Sequence, residues 1–94
     1  MIAAKIDDNH KSVVRALKTI GCSVQSMANI GNGCPDLLVG YHGQNFLVEV
    51  KTLKGKTNAL QIKWHQAWRG IVKIAHSPEE AIKQIQDEIN YGKS

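Results

Sequence analysis

The chain has few cysteines and no long apolar segment among its 94 residues. Its two cysteines, Cys22 and Cys34, form no Cys-x-x-Cys pair, and the four histidines are scattered without a metal-binding spacing. These absences argue against a disulfide framework and against a zinc site. No apolar stretch approaches the roughly 18 residues of a membrane-spanning helix, and the first residues turn polar too early for a secretion signal. We therefore expect a cytoplasmic protein without membrane segments.

The sequence also lacks internal repeats, low-complexity tracts and an interdomain linker. Hydrophobic residues at 43% and charged residues at 21% are ordinary for a globular protein, so we expect residues 1–94 to form a single domain. The net charge is +4 at pH 7 and the sequence pI is about 9.2. This excess of positive charge favours an anionic partner such as nucleic acid, although charge alone does not identify one.

The first half of the chain reads as a helix followed by three strands. Apolar residues at helical spacing predict a helix over 8–20 that stops at Gly21, and a short strand follows at 22–27. The segments 36–41 and 46–51 are typical of strands and flank the turn sequence His-Gly-Gln-Asn. These two strands are expected to form a hairpin.

The second half adds a helix, a strand and a further helix. Asn58 is a candidate N-cap for a helix from 59 to about 69, and a strand follows at 71–75. The sequence Ser-Pro-Glu-Glu, beginning at Ser77, is a strong start for a third helix. The resulting order, α-β-β-β-α-β-α, predicts an α/β fold with a mixed sheet and helices packed around it.

Two carboxylates and an amine converge in the predicted hairpin. Side chains alternate along a strand, so Glu49 and Lys51 point to the same face. Asp36 opens the neighbouring strand and stands beside the end of the second one. Two converging carboxylates repel each other, and Mg²⁺ or Mn²⁺ with oxygen ligands resolves that repulsion. A lysine beside such an ion can orient or help to deprotonate a water, which is the equipment for hydrolysing a phosphodiester.

Each of these residues also has an ordinary structural explanation. Asp36, after a proline, can bond its own backbone in a turn. Glu49 and Lys51 can form an ion pair on an exposed strand, which contributes little stability. Trp64 and Trp68 lie four residues apart, and we expect them to pack in the core rather than to stack on bases.

Several sequence strings occur together in the order that is typical of one nuclease family. They are Gly-Cys-Pro-Asp-Leu-Leu-Val-Gly at 33–40, Val-Glu-Val-Lys at 48–51, Gln-Ile-Lys-Trp at 61–64, Trp-Arg-Gly at 68–70 and Ser-Pro-Glu-Glu-Ala at 77–81. Together they resemble the stand-alone VRR-NUC domains of phages and bacteria, a branch of the restriction-endonuclease-like nucleases with the P-D…(D/E)-x-K pattern. The resemblance spans nearly the whole chain.

The resemblance implies an α-β-β-β-α-β core, extended here by a C-terminal helix, and a set of site residues. The ion would be held by Asp36, Glu49 and the backbone carbonyl of Val50. Lys51 would serve the attacking water, and Gln61 on the following helix would hold that lysine or the water.

Two further groups of residues are left with two interpretations. The family's first helix usually adds an acidic residue to the site, which maps to Asp7 in the sequence Asp-Asp-Asn, and any of the three residues can equally be a helix N-cap. Lys54 and Lys56 lie in a basic loop that either contacts DNA phosphates or is simply solvated. His65 is assigned no role.

The resemblance also implies a function. It indicates a Mg²⁺- or Mn²⁺-dependent endonuclease that acts on branched DNA such as four-way junctions, as a homodimer, in the cytoplasm of a bacterium or a phage-infected host. A flap or nicking nuclease with the same chemistry and a catalytically silent DNA-binding module are the alternatives.

Overall fold

The computed structural model of the chain describes residues 8–52 and 58–92. Three residues with predicted roles, Asp7, Lys54 and Lys56, lie outside these ranges. The described elements follow the predicted order: α1 (Asp8–Thr19), β1 (Ser23–Ser26), β2 (Leu37–Tyr41), β3 (Gln44–Val50), α2 (Ala59–Ala67), β4 (Val72–Ala75) and α3 (Pro78–Gly92). In the described part of the chain, no helix is long and apolar enough to cross a membrane.

The four strands form one mixed sheet in the order β1-β2-β3-β4. β2 runs antiparallel to both β1 and β3, and β4 lies parallel to β3. The predicted α/β fold, with a mixed sheet flanked by helices, is therefore confirmed. The hairpin turn is tighter than predicted, because only His42 and Gly43 leave the ladder, both with positive φ (50° and 77°). That two-residue geometry matches the twist of the strands.

The core lies between the sheet and helices α1 and α3. Side chains from β2 and β3 point towards these helices and pair across the strands, as Leu37 does with Val48 and Val39 with Phe46. The buried hydrophobic residues of this core are Val13, Leu17, Cys22, Leu37, Val39, Phe46, Val48, Ala75, Ala81, Ile85 and Ile89. Each large apolar side chain removed from water contributes roughly 1.5–3 kcal/mol, so this face stabilises the domain.

Helix α2 differs from the other two helices because none of its residues is buried. The predicted packing of Trp64 and Trp68 in the core is wrong. Neither belongs to the core cluster; their rings stack on each other with centroids 4.7 Å apart, and Trp68 is 47% exposed. The spacing of four residues indicated a shared face correctly, but the chain leaves the helix after Ala67 and Trp68 becomes its C-cap.

Two local features place the start of α2. Asn58 and Gln61 form a capping box, in which the Asn58 side chain accepts from the Gln61 backbone N–H and the Gln61 side chain accepts from the Asn58 backbone N–H. The loop before β2 touches this helix at Gly33, where a Cβ atom would lie 2.7 Å from the carbonyl carbon of Leu60. The backbone approach is therefore too close for any side chain at this position.

This contact predicts different costs for two glycine substitutions. Gly31 and Gly33 both have positive φ (75° and 85°), so alanine is strained by about 1–2 kcal/mol at either position. A Cβ at position 31 meets nothing within 4 Å, whereas one at position 33 displaces the start of α2. Gly33→Ala should therefore cost about 1–3 kcal/mol more than Gly31→Ala in urea unfolding. Equal costs would contradict the close approach.

Candidate active site

The predicted carboxylate pair is present. Leu37 of β2 pairs with Val48 of β3, so Asp36 and Glu49 flank that pair at the same end of the hairpin. The Asp36 carboxyl group is near enough to Glu49 to raise the pKa of that acid, and Asp36 Oδ2 accepts from the Val50 backbone N–H at 2.8 Å. Asp36 is therefore held by the strand that carries Glu49 rather than by its own turn.

Glu49 is the buried acid of this pair, with a relative exposure of 2%. Burial raises the pKa of its carboxyl group to about 8, and the nearby negative charge of Asp36 acts in the same direction. Lys51 opposes this rise, with its Nζ 3.7 Å from Glu49 Oε2. Because the charged form of a buried acid needs a counter-charge, the pair favours either a proton or a cation.

Gln61 joins the lysine to the acid. Its Oε1 accepts from Lys51 Nζ at 2.6 Å, and its Nε2 donates to Glu49 Oε2 at 2.9 Å. The same Oε1 accepts from the Asn58 N–H of the capping box. The cap that starts α2 therefore also orients the predicted catalytic lysine, and the structure brings Gln61 and Lys51 together.

His65 is a neighbour of Glu49 that sequence reasoning left without a role. It lies one helical turn after Gln61, so both side chains lie on the same face of α2. Its Nε2 is 3.9 Å from Glu49 Oε1. Burial, together with the charge of Lys51, lowers the pKa of His65 and favours its neutral form. The spacing of four residues from Gln61 indicates that the two side chains share a helix face, but only the structure shows that this face meets Glu49.

Asn9 links the first helix to the same region through its amide nitrogen. Its Nδ2 donates to the carbonyl oxygen of Lys51 at 2.8 Å and to that of His76 at 3.2 Å. Lys51 follows β3 and His76 follows β4, so this amide joins the ends of two parallel strands to α1. Asn9 therefore attaches the first helix to the backbone that follows Glu49.

The donor set fits a hard divalent cation. Within the described residues, no group of three or more His, Cys, Asp or Glu side chains could hold a metal ion. Mg²⁺ needs only one or two carboxylates because it keeps several waters and accepts phosphate oxygens. Glu49 Oε1 is buried and has no hydrogen-bond partner among the described residues, so it is an atom that a cation would satisfy. Asp36, Glu49 and the Val50 carbonyl stay the predicted ligands.

A comparison with solved structures adds an independent observation. A structure described as "VRR_NUC domain" matches with a TM-score of 0.71 and 28% sequence identity, over 89% of this chain and 97% of that chain. The chain is therefore similar to a VRR-NUC domain in fold and in sequence. The sequence itself matches no family model and no curated protein. The VRR-NUC resemblance read from the sequence is confirmed, and this domain type indicates a nuclease.

The buried acid predicts a pH dependence of stability in the metal-free protein. Between the ordinary pKa of 4.5 and the raised value of about 8, folded Glu49 holds a proton that the unfolded chain has released. The free energy of unfolding should therefore fall as the pH rises through this window.

Urea unfolding in EDTA at several pH values measures this slope. Glu49→Gln should flatten it, because the amide does not titrate, whereas Glu79→Gln at an exposed position of α3 should leave it unchanged. An identical slope in the Glu49→Gln variant would show that Glu49 is not the group responsible.

Proposed function

We propose that this VRR-NUC domain is a Mg²⁺- or Mn²⁺-dependent endodeoxyribonuclease that hydrolyses phosphodiester bonds in branched DNA, such as four-way junctions. The observation that carries the proposal is the pair of half-buried Asp36 and buried Glu49 beside Lys51. A cytoplasmic location and a phage or bacterial origin belong to the same proposal and rest on the family resemblance.

The side chains divide the work between them. A bound divalent ion would supply positive charge at the phosphate and lower the pKa of a water. Asp36, Glu49 and the Val50 carbonyl would hold it. Lys51 gives one N–H to Gln61, so its remaining N–H groups are available to orient the attacking water or to steady charge on the phosphoryl oxygens. In-line attack by water then releases the 3′-hydroxyl and leaves a 5′-phosphate.

Helix α1 carries a basic surface suited to the DNA backbone. Lys11, Arg15 and Lys18 are exposed at spacings of four and three residues and line a concave region of about 430 Å³. None of them forms an ion pair with a residue that the structure describes, whereas Lys73 and Lys83 each pair with an acid of α3. Unpaired cations on one helix face favour contact with phosphates, which set position without reading sequence.

This basic surface begins beside the site. Asn9 fastens the start of α1 to the carbonyl oxygen of Lys51, and Lys11 lies two residues further along the helix. Asn9 and Lys11, two residues apart, project from nearly opposite sides of α1, so a DNA strand would pass around the start of the helix to reach both the carboxylate pair and the basic surface. Lys54 and Lys56, in the predicted phosphate-contacting loop, remain part of the proposal.

The homodimer is supported by the resemblance and by exposed apolar side chains. A two-fold dimer presents one site per subunit, which suits symmetric cutting of a junction. Leu60, Ile62 and Trp68, on or just after α2, are 60%, 45% and 47% exposed. Exposed apolar groups of this size commonly mark interfaces.

Cleavage of a substrate panel tests the proposal. The wild-type protein, with Mg²⁺ or Mn²⁺, should nick four-way junctions in preference to flaps and linear duplexes. Asp36→Asn should lower cleavage by about 10²-fold or more, because it removes metal-binding charge, while it retains DNA binding. Asp87→Asn, at an exposed position of α3, is the matched control and should cut normally.

The panel also separates the alternatives. Cutting of flaps alone would favour a flap nuclease. Binding without nicking under either metal would favour a silent DNA-binding module, and unchanged turnover in Asp36→Asn would remove the metal assignment.

The salt dependence of DNA binding tests the basic surface. Lys11→Ala combined with Arg15→Ala should weaken junction binding and reduce the slope of log K against log salt by up to about 2, since each lost phosphate contact removes about 0.9. Lys83→Ala, whose cation is already paired on α3, should leave the slope unchanged. Lys54→Ala with Lys56→Ala examines the loop in the same assay, and an unaltered slope would exclude the mutated surface from the contact.

A further inference from the structure

Two buried polar atoms face each other at the site without a partner. They are His65 Nε2 and Glu49 Oε1, which lie 3.9 Å apart, and neither has a hydrogen-bond partner among the described residues. About 90% or more of buried polar atoms in proteins are hydrogen-bonded, because an unsatisfied buried polar atom destabilises the fold. Two such atoms on facing side chains therefore need an explanation.

The separation fits one bridging oxygen atom. At 3.9 Å the pair is too far apart for a direct hydrogen bond. A single oxygen placed about 2.8 Å from each atom would satisfy both. Glu49 cannot turn its carboxylate to avoid this arrangement without losing a contact, because Oε2 already accepts from Gln61.

The orientation of the imidazole is set by its surroundings. The His65 ring lies edge-on to the ring of Trp64, with centroids 6.2 Å apart and an interplanar angle of 79°. Gln61 and His65 project from successive turns of α2, so the helix supplies a group to each oxygen of the same carboxylate. Gln61 donates directly to Glu49 Oε2, whereas His65 Nε2 is separated from Glu49 Oε1 by a gap that one oxygen atom would bridge.

We propose that His65 is a further residue of the active site, and that its Nε2 and Glu49 Oε1 together hold one oxygen atom of the reacting system. This oxygen is a water in the coordination shell of the bound ion, because a water can accept from the imidazole N–H and donate to the carboxylate, whereas a phosphate oxygen cannot donate. The inference rests on the metal-dependent hydrolysis proposed above. Helix α2 would then carry two functional side chains: Gln61 positions Lys51, and His65 positions the oxygen.

Two substitutions separate this role from packing. His65→Phe keeps an aromatic ring against Trp64 and removes the polar atom, whereas His65→Gln keeps a polar group at a similar reach and removes the ring. Gln66→Ala, at the exposed neighbouring position of α2, is the matched control. His65→Phe should fold with undiminished stability in urea unfolding, because it deletes a buried polar atom that has no partner.

Metal binding without DNA gives a readout that does not depend on activity. In titration calorimetry with Mn²⁺ alone, His65→Phe should weaken the affinity by about tenfold, as expected when a group behind the metal ligands is lost. His65→Gln should restore most of it, and Gln66→Ala should match the wild type. This pattern supports the proposal with a water of the ion as the bridging oxygen.

Junction binding tests a different role for His65. If His65→Phe leaves the Mn²⁺ affinity unchanged but weakens four-way-junction binding in Ca²⁺, which prefers the same oxygen ligands, His65 contacts the DNA itself and the shared water is overturned. Wild-type affinity of His65→Phe in both assays overturns the assignment and leaves the metal site standing. A wild-type protein that binds neither Mn²⁺ nor the junction overturns the proposed function, and the role of His65 with it.

Discussion

The buried carboxyl group of Glu49 is the constraint around which this side of the molecule is arranged. It is almost fully removed from water, and its nearest charged neighbours are an acid of the same sign and a single lysine. A buried charge is costly unless it is paired and hydrogen-bonded. Asp36 makes the cost larger, and Gln61 and Lys51 reduce it on one side only. A protein that needed only stability at this position would gain from an apolar residue.

The two faces of strand β3 have different functions, one in the core and one in the active site. In β3, Phe46 and Val48 point to the core beneath α1 and α3, while Leu47 and Glu49 point to the face of α2. The alternation of the strand places these two environments on opposite sides of the same backbone. The site can therefore hold an unfavourable carboxylate pair, because the stabilising apolar contacts are made elsewhere.

The order of the elements and the carboxylate pair were predictable from sequence, because both follow from local patterns. The hairpin has a two-residue turn and an alternating strand, and together these determine which residue faces Glu49. The VRR-NUC resemblance added Gln61, whose contacts with Lys51 and Glu49 the structure shows.

Other features could not be predicted, because they depend on what lies opposite a residue. The spacing of Trp64 and Trp68 indicates a shared helix face but not whether anything covers it. A lone histidine such as His65 has no signature until the position of Glu49 is known. Asn9 was recognised as a cap or a site residue, yet its bonds join it to the backbone carbonyls that follow two strands far away in sequence.

The exposure of α2 has a consequence for how the domain responds to its ligands. This helix buries no side chain of its own and is attached through its capping box, the backbone contact at Gly33 and the polar groups around Glu49. Its detachment would leave the apolar core intact, so its local opening should require far less free energy than global unfolding. Ligand binding at the active site and docking of α2 are then thermodynamically linked. A ligand that binds only when Gln61 is in place beside Glu49 raises the population in which α2 is docked. In the unliganded domain we therefore expect the core of the sheet, α1 and α3 to stay ordered, while the docking of α2 depends on the bound ligand.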